Sequence, residues 1–149
     1  MNEDVKWMSL ALEQAVKAEE EGEVPVGAIL VKDGLVVARA HNQPISTNDA
    51  TAHAEIQLIR TAGAKLRNYR LTSTSLFVTL EPCAMCLGAI MHARIERIIF
   101  GAHDSKSGVC GSSENFIQAN CFNHKINLIG GVLENESKQL LKKFFISRR

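Results

Sequence analysis

The chain has 149 residues, 46% apolar and 22% charged, with a formal net charge of +1. That is enough for one sizeable core in a single domain, 1–149, and it is the balance of a globular protein rather than a disordered or fibrous one. A charge so close to zero creates no global field toward nucleic acid, so any such signal must be local. The start, "MNEDVKWMSLALEQ", is acidic and lacks the basic and apolar blocks of a secretory signal. No apolar run approaches the roughly 20 residues that span a bilayer. A cytoplasmic protein with no membrane partner is expected.

Asn2 can cap a helix that runs to about Glu21. Val5, Met8, Leu12, Ala15 and Val16 recur at helical spacing, and Gly22 can end it. "VGAILVK" (26–32) and "LVVARAHN" (35–42) flank Asp33-Gly34, a strong hairpin signal. The polar loop "QPISTND" (43–49) follows and supplies caps for a helix from about Ala52 to Lys65. "SLFVTL" (75–80) reads as a buried strand, and Pro82 suits the first turn of a helix over Cys83–Ala93. "ERIIFG" (96–101) is another strand. A Gly/Ser-rich loop (102–114) leads toward a short helix near 114–120, then a fifth strand "INLIGGVL" (126–133). "ESKQLLKKFFISRR" (136–149) closes the chain as a helix with a basic end. Strands that alternate with helices imply an α/β fold in three layers, α/β/α: a five-stranded mixed sheet with helices on both faces. The β-α-β units over 52–100 should make their strands parallel, with right-handed crossovers.

Cysteines stand at 83, 86, 110 and 121. With no sign of export, the close pair Cys83/Cys86 is a metal ligand set, a redox pair or two buried thiols. Cys83 and Cys86 lie three apart at a helix start, so one face presents both sulfurs. His53-Ala54-Glu55 opens the preceding helix. In a parallel β-α-β arrangement both helix starts lie on one sheet edge, which brings His53, Cys83 and Cys86 within reach of one another. One nitrogen and two sulfurs leave a tetrahedral zinc an open position, the pattern of catalytic rather than structural zinc. Such an ion lowers the pKa of a bound water to about 7. Glu55 is then the proton carrier. A thioredoxin-like pair has no need of His-Ala-Glu. Cys110 and Cys121 read as unmodified thiols, Trp7 as packing, and His41, His92, His103 and His124 as surface or hydrogen-bonded histidines. The helix "CAMCLGAIMHAR" (83–94) is apolar over most of its circumference, which predicts a homodimer through the side that the sheet leaves uncovered.

His-x-Glu followed by Pro-Cys-x-x-Cys is the signature of zinc deaminases, tRNA adenosine deaminase among them. With "EVPVGAILV" (23–31), "HNQPI" (41–45), "TAHAEI" (51–56), "NYRL" (68–71), "LFVTLEPCAMCLGAIMHARI" (76–95), "FGAHDSKSG" (100–108) and "FFISRR" (144–149), the chain resembles the bacterial tRNA-specific adenosine deaminases over nearly its whole length. The resemblance implies a cytidine-deaminase-like fold, one Zn2+ per subunit, and hydrolysis of the wobble adenosine of a tRNA anticodon stem-loop to inosine, with ammonia released. It implies His53, Cys83 and Cys86 as zinc ligands and Glu55 as the catalytic acid–base. Asn42 and Val26 would contact the flipped-out base or its sugar. Backbone N–H groups near Ala54 and Cys83 would orient water. Asp104, Lys106, Phe145, Arg148 and Arg149 would face the flanking nucleotides. For Asp104 the alternative is an Asx turn; for the tail it is helix-dipole complement and core packing. Glu81 is open between orienting a ligand and anchoring a loop. The rivals are a zinc deaminase of a free base or nucleoside (guanine, cytosine or cytidine) and a non-enzymatic zinc or RNA-binding module. The first would not need Asp104, Lys106 or the basic–aromatic tail; the second would not need Glu55.

Overall fold

In the computed structural model, which describes residues 3–148, one five-stranded sheet has the order β2-β1-β3-β4-β5. Its strands are β1 (Gly27–Lys32), β2 (Leu35–His41), β3 (Ser75–Leu80), β4 (Arg97–Ala102) and β5 (Asn127–Ile129). β1 pairs antiparallel with both β2 and β3, whereas β4 is parallel to β3 and to β5. Four strands therefore run one way and β1 runs against them. The C-terminal ends of β2, β3 and β4 share an edge with the N-terminal end of β1. The mixed sheet and the parallel β3–β4 pair are as expected.

Period-two alternation builds the two faces. Ala28, Leu30, Leu76, Val78, Ile98 and Phe100 point to one side, with Leu58, Ala62, Leu87 and Ile90 of helices α3 (Ala54–Leu66) and α4 (Ala84–Ala93). Ile29, Val31, Phe77 and Ile99 point to the other, against Trp7, Met8 and Ala11 of α1 (Glu3–Glu20). Ile29, Phe77 and Ile99 lie in register across three strands, so α1 packs on a continuous apolar row. Trp7 is buried, as its spacing predicts. Asn2, the predicted cap of α1, lies outside the described residues. The Asp33-Gly34 hairpin forms, with positive φ at both residues, as a tight two-residue turn requires.

Four details depart from expectation. Pro44–Thr47 is a short helix, α2, inside the predicted polar loop. Its N-terminal amides on Ile45 and Ser46 donate to the carboxylate of Glu23, at 3.1 and 2.7 Å. No helix forms over 114–120. Asn115 accepts from the Ile117 N–H, and the Phe116 N–H donates to the Val109 carbonyl, so local polar bonds hold turns there instead. The fifth strand stops at Ile129, because Gly130 sits against the Phe100 ring and Gly131 has φ of +86°. Pro82 precedes its helix rather than starting it, because Cys83 is the N-cap, with extended backbone. The closing helix, α5, spans Glu134–Ser147.

Gly27 fixes how closely α1 approaches the sheet. A Cβ there would overlap the Ala11 carbonyl and the Ala15 amide, both backbone atoms that cannot swing away. Gly27→Ala should cost about 2 kcal/mol or more by overpacking; urea denaturation of the two proteins measures it.

Candidate active site

The site forms where four strand ends meet. β2 delivers Asn42, β3 delivers Glu81 and Cys83, β4 delivers Asp104, and the approach to β1 delivers Val24 and Val26. Two helices begin at the same edge. His53 is the N-cap of α3 and Cys83 the N-cap of α4, both with extended backbone, and neither side chain caps its helix. N-caps favour Ser, Thr, Asp or Asn. Here the two side chains turn toward each other instead. His53 Nδ1 lies 3.7 Å from Cys83 Sγ and 3.5 Å from Cys86 Sγ.

These three atoms form the one cluster of possible metal ligands among the described residues, all within 4.8 Å of one another. A tetrahedral zinc with Zn–N and Zn–S bonds of about 2.05 and 2.3 Å has N···S edges of about 3.6 Å. The observed separations match that edge, and the donor set suits zinc. No fourth protein ligand stands in the cluster, so one position would remain for water or substrate.

Without a metal the two thiols share one negative charge. The Cys86 thiol's hydrogen bond, with help from His53, brings Cys83 down to about 4. Its hydrogen bond to Cys83, together with burial, pushes Cys86 upward. The Cys83 sulfur raises His53. Glu55 follows two residues after the N-cap, in the first turn of α3, and is buried. Burial pushes it up to about 7, where a carboxyl can both take and give a proton near neutral pH.

A cavity of about 320 Å³ opens onto this cluster, lined among others by Val26, Asn42, His53, Glu55, Cys83 and Asp104. The volume lies at the small end of ligand pockets. Asn42 Oδ1 accepts the Ala54 N–H at 2.8 Å, so an asparagine from β2 caps α3 in place of His53. That bond engages the Ala54 amide, which on sequence grounds would have oriented water. It also fixes the Asn42 amide with its NH2 group, a donor, left for other partners.

Asp104 spends Oδ1 on the Lys106 and Ser107 amides at 3.1 and 3.2 Å, the Asx turn that was its alternative, while still lining the cavity. Lys106 and Phe145 line a second cavity of about 390 Å³, which shares Val24, Leu80, Asp104 and Ser107 with the first. Phe144 is buried and Phe145 is 52% exposed, so the tail pair divides between core and surface, and each of the two readings of the tail fits one ring. Arg148 stacks over the Phe144 ring at 4.4 Å and lines neither cavity. Arg149 lies outside the described residues. Three histidines are hydrogen-bonded away from the cluster: His41 to Glu21, His103 to Glu134 and His124 to the Ile95 carbonyl. His92 is exposed.

Sequence reasoning missed Glu23 and left Glu81 undecided. Glu23 sits in the run "EEEGE", which reads as solvated charge, yet it is buried and holds α2 at the rim of the cavity. Glu81 is also buried and accepts the amides of Asp104, Cys110 and Ser112 at 3.0, 2.9 and 3.2 Å, as well as the Ser112 hydroxyl. The wall residues Val24, Leu80 and Pro44 carried no signal of their own.

Comparison with known proteins agrees with this geometry. Residues 1–102 match the family model of the cytidine and deoxycytidylate deaminase zinc-binding region. The chain is 48% identical over 147 residues to a tRNA-specific adenosine deaminase of Haemophilus influenzae, covering 98% of this chain and 85% of the relative. It is 45% identical over 145 residues to that of Bacillus subtilis, covering 97% and 90%. A solved structure from studies of A-to-I editing by tRNA:A34 deaminases at the wobble position of transfer RNA superposes with a TM-score of 0.89. That structure is 46% identical, with 91% of this chain and 99% of the other covered.

The paired thiols give a chemical test. In metal-free protein at pH 6, Cys83, with a pKa of about 4, is thiolate. Cys110 is buried and pushed up to about 12, so it stays protonated. Iodoacetamide followed by mass spectrometry should label Cys83 at least about tenfold faster than Cys110, and zinc should suppress the Cys83 label.

Proposed function

We propose, from the premise that the chain belongs to the tRNA-specific adenosine deaminase family, that His53, Cys83 and Cys86 hold one zinc ion per chain and that Glu55 moves the protons of the reaction. The protein is a hydrolytic deaminase that converts the wobble adenosine of a tRNA anticodon to inosine. The observation that carries the site assignment is a His/Cys/Cys cluster at two helix starts, beside a buried carboxyl at the floor of a small cavity.

Zinc, when bound, makes a water acidic enough to act as a nucleophile near neutral pH. Glu55 accepts the proton that this water loses as its oxygen adds to C6 of the base. Glu55 then protonates the neighbouring ring nitrogen, takes the proton of the new C6 hydroxyl and passes it to the amino group, so that the C6–N bond breaks, ammonia leaves and the C6 carbonyl forms. Adenosine and water become inosine and ammonia, and the carboxyl ends as it began. Burial raises its pKa, in the metal-free chain to about 7, which favours a carboxyl that takes a proton and gives it back. Val26 supplies an apolar wall. The Asn42 amide, held by Ala54, offers an N–H to an acceptor on the base or ribose. The anticodon loop presents a base that is already partly unstacked, which keeps the cost of drawing it into the cavity small. Asp104, Lys106 and Phe145 receive the neighbouring nucleotides, with Arg148 and Arg149 on phosphate. A free-base deaminase would need none of these five.

The same reading includes a homodimer in the cytoplasm. Ala84, Met85 and His92 of α4 are exposed and Gly88 and Ala89 half-buried, which leaves one long side of this apolar helix without cover. Among the described residues no helix is long and apolar enough to cross a membrane.

An anticodon stem-loop containing wobble adenosine, with adenosine, guanine and cytidine in parallel, tests the substrate. Inosine should form in the stem-loop alone. Glu55→Ala should lower kcat about 10³-fold, with zinc content and circular dichroism unchanged. Full turnover by Glu55→Ala would end the mechanism. Removing zinc with a chelator should abolish activity, and adding zinc back should restore it. In sedimentation at micromolar concentration the wild-type chain should run as a dimer and Met85→Glu as a monomer.

A further inference from the structure

The segment 104–112 follows β4 and carries Asp104, Lys106 and Ser107 to the two cavities, yet it has no regular structure of its own. Its position is set from outside. Four donors from it converge on the two oxygens of Glu81, namely the amides of Asp104, Cys110 and Ser112 and the Ser112 hydroxyl. The Val109 N–H adds a fifth bond, to the Pro82 carbonyl, at 3.1 Å. A Cβ on Gly108 would overlap the Glu81 carboxyl group, so the segment is drawn in as far as a glycine allows. Glu81 lies two residues before Cys83.

We propose that Glu81 is a positioning residue that ties the segment receiving the flanking nucleotides to the strand end bearing the Cys83 sulfur, and so sets the affinity for RNA. The inference rests on the tRNA reading of the site. Glu81 touches neither His53, Cys83 nor Cys86 through any hydrogen bond found among the described residues. Its backbone N–H pairs with the Ala102 carbonyl of β4, and all of its carboxylate bonds run to 104–112. Although Glu81 also lines the cavity, its carboxylate oxygens are engaged by the loop and not by the His53/Cys83/Cys86 cluster. A carboxylate suits this task because it only accepts, whereas an amide would turn a donor toward other donors. The carboxylate and its bond from the Cys110 amide are buried and the other three bonds are part-buried, so leaving the Cys110 amide unpaired carries a desolvation cost that favours rearrangement of the loop.

The test uses zinc-loaded protein and the wobble-adenosine stem-loop. Glu81→Gln should raise KM about tenfold while kcat stays within about twofold and zinc content is unchanged. Hydrogen exchange at the amides of Asp104, Cys110 and Ser112 should accelerate, a readout that needs no turnover. Asp104→Asn added to Glu81→Gln should cost no more than the worse single change, because both act through one loop. Ser112→Ala removes a single donor and keeps the carboxylate. It should raise KM about threefold, and it serves should Glu81→Gln fail to fold. Loss of zinc, a fall in kcat at unchanged KM, multiplicative losses in the double variant, or an unchanged KM in Ser112→Ala would each overturn the proposal. Absence of inosine with the wild-type protein would instead overturn the substrate reading, while the exchange experiment would still report on the clamp.

Discussion

Two helix N-caps that do not cap are the constraint on which the site depends. His53 and Cys83 take the extended backbone of an N-cap, yet their side chains leave the helix amides and face each other across the sheet edge. This arrangement is possible because β2 and β3 run parallel with β1 between them, so that α3 and α4 both start at one edge. The helix dipoles then point their positive ends at the sulfurs and favour thiolate there. Cys86, one turn into α4, completes the set from the same helix start.

What the helix starts forgo is supplied from neighbouring strands. Asn42 caps α3 from the end of β2, and that bond also fixes a polar group of the cavity wall. Glu23 holds the amides of α2, and Glu81 those of the 104–112 segment. Each of these three side chains is buried and accepts from backbone amides, Glu81 taking the Ser112 hydroxyl as well. The irregular walls of the cavity are thus fixed by polar groups at the ends of strands, which are themselves fixed by the core. Loops can carry function only when a rigid frame positions them, and here three acceptor side chains transmit that rigidity.

The apolar layers explain why the frame is firm. β1, β3 and β4 alternate apolar residues to both faces, so neither face is free to shift by one residue without exposing its neighbours to the wrong layer. Gly27 lets α1 close down on β1 immediately beside Val26, which ties the apolar wall of the cavity to the packing of the opposite layer.

The order of the strands and of the four longer helices, the Asp33-Gly34 turn, the parallel β3–β4 unit and the Cys83/Cys86 pair were legible in the sequence, because each rests on local spacing: period two, period 3.6, or thiols three apart. His53 joined the pair through the β-α-β topology. The fates of Pro82 and the 114–120 segment were not legible: Cys83 takes an N-cap's extended backbone with its side chain turned to His53, 30 residues away, and the Asn115 side chain takes the Ile117 amide that a helix would have used. Nor could a string of residues distinguish Glu23 from a solvated glutamate, or decide that Glu81 anchors a loop. What makes a carboxylate a clamp is the set of amides that other segments bring to it, and chain folding alone brings them. The sequence by itself determined which atoms can do the chemistry. The tertiary structure decided which of them are held still, because a hydrogen bond between residues some 30 apart leaves no periodic trace in the chain.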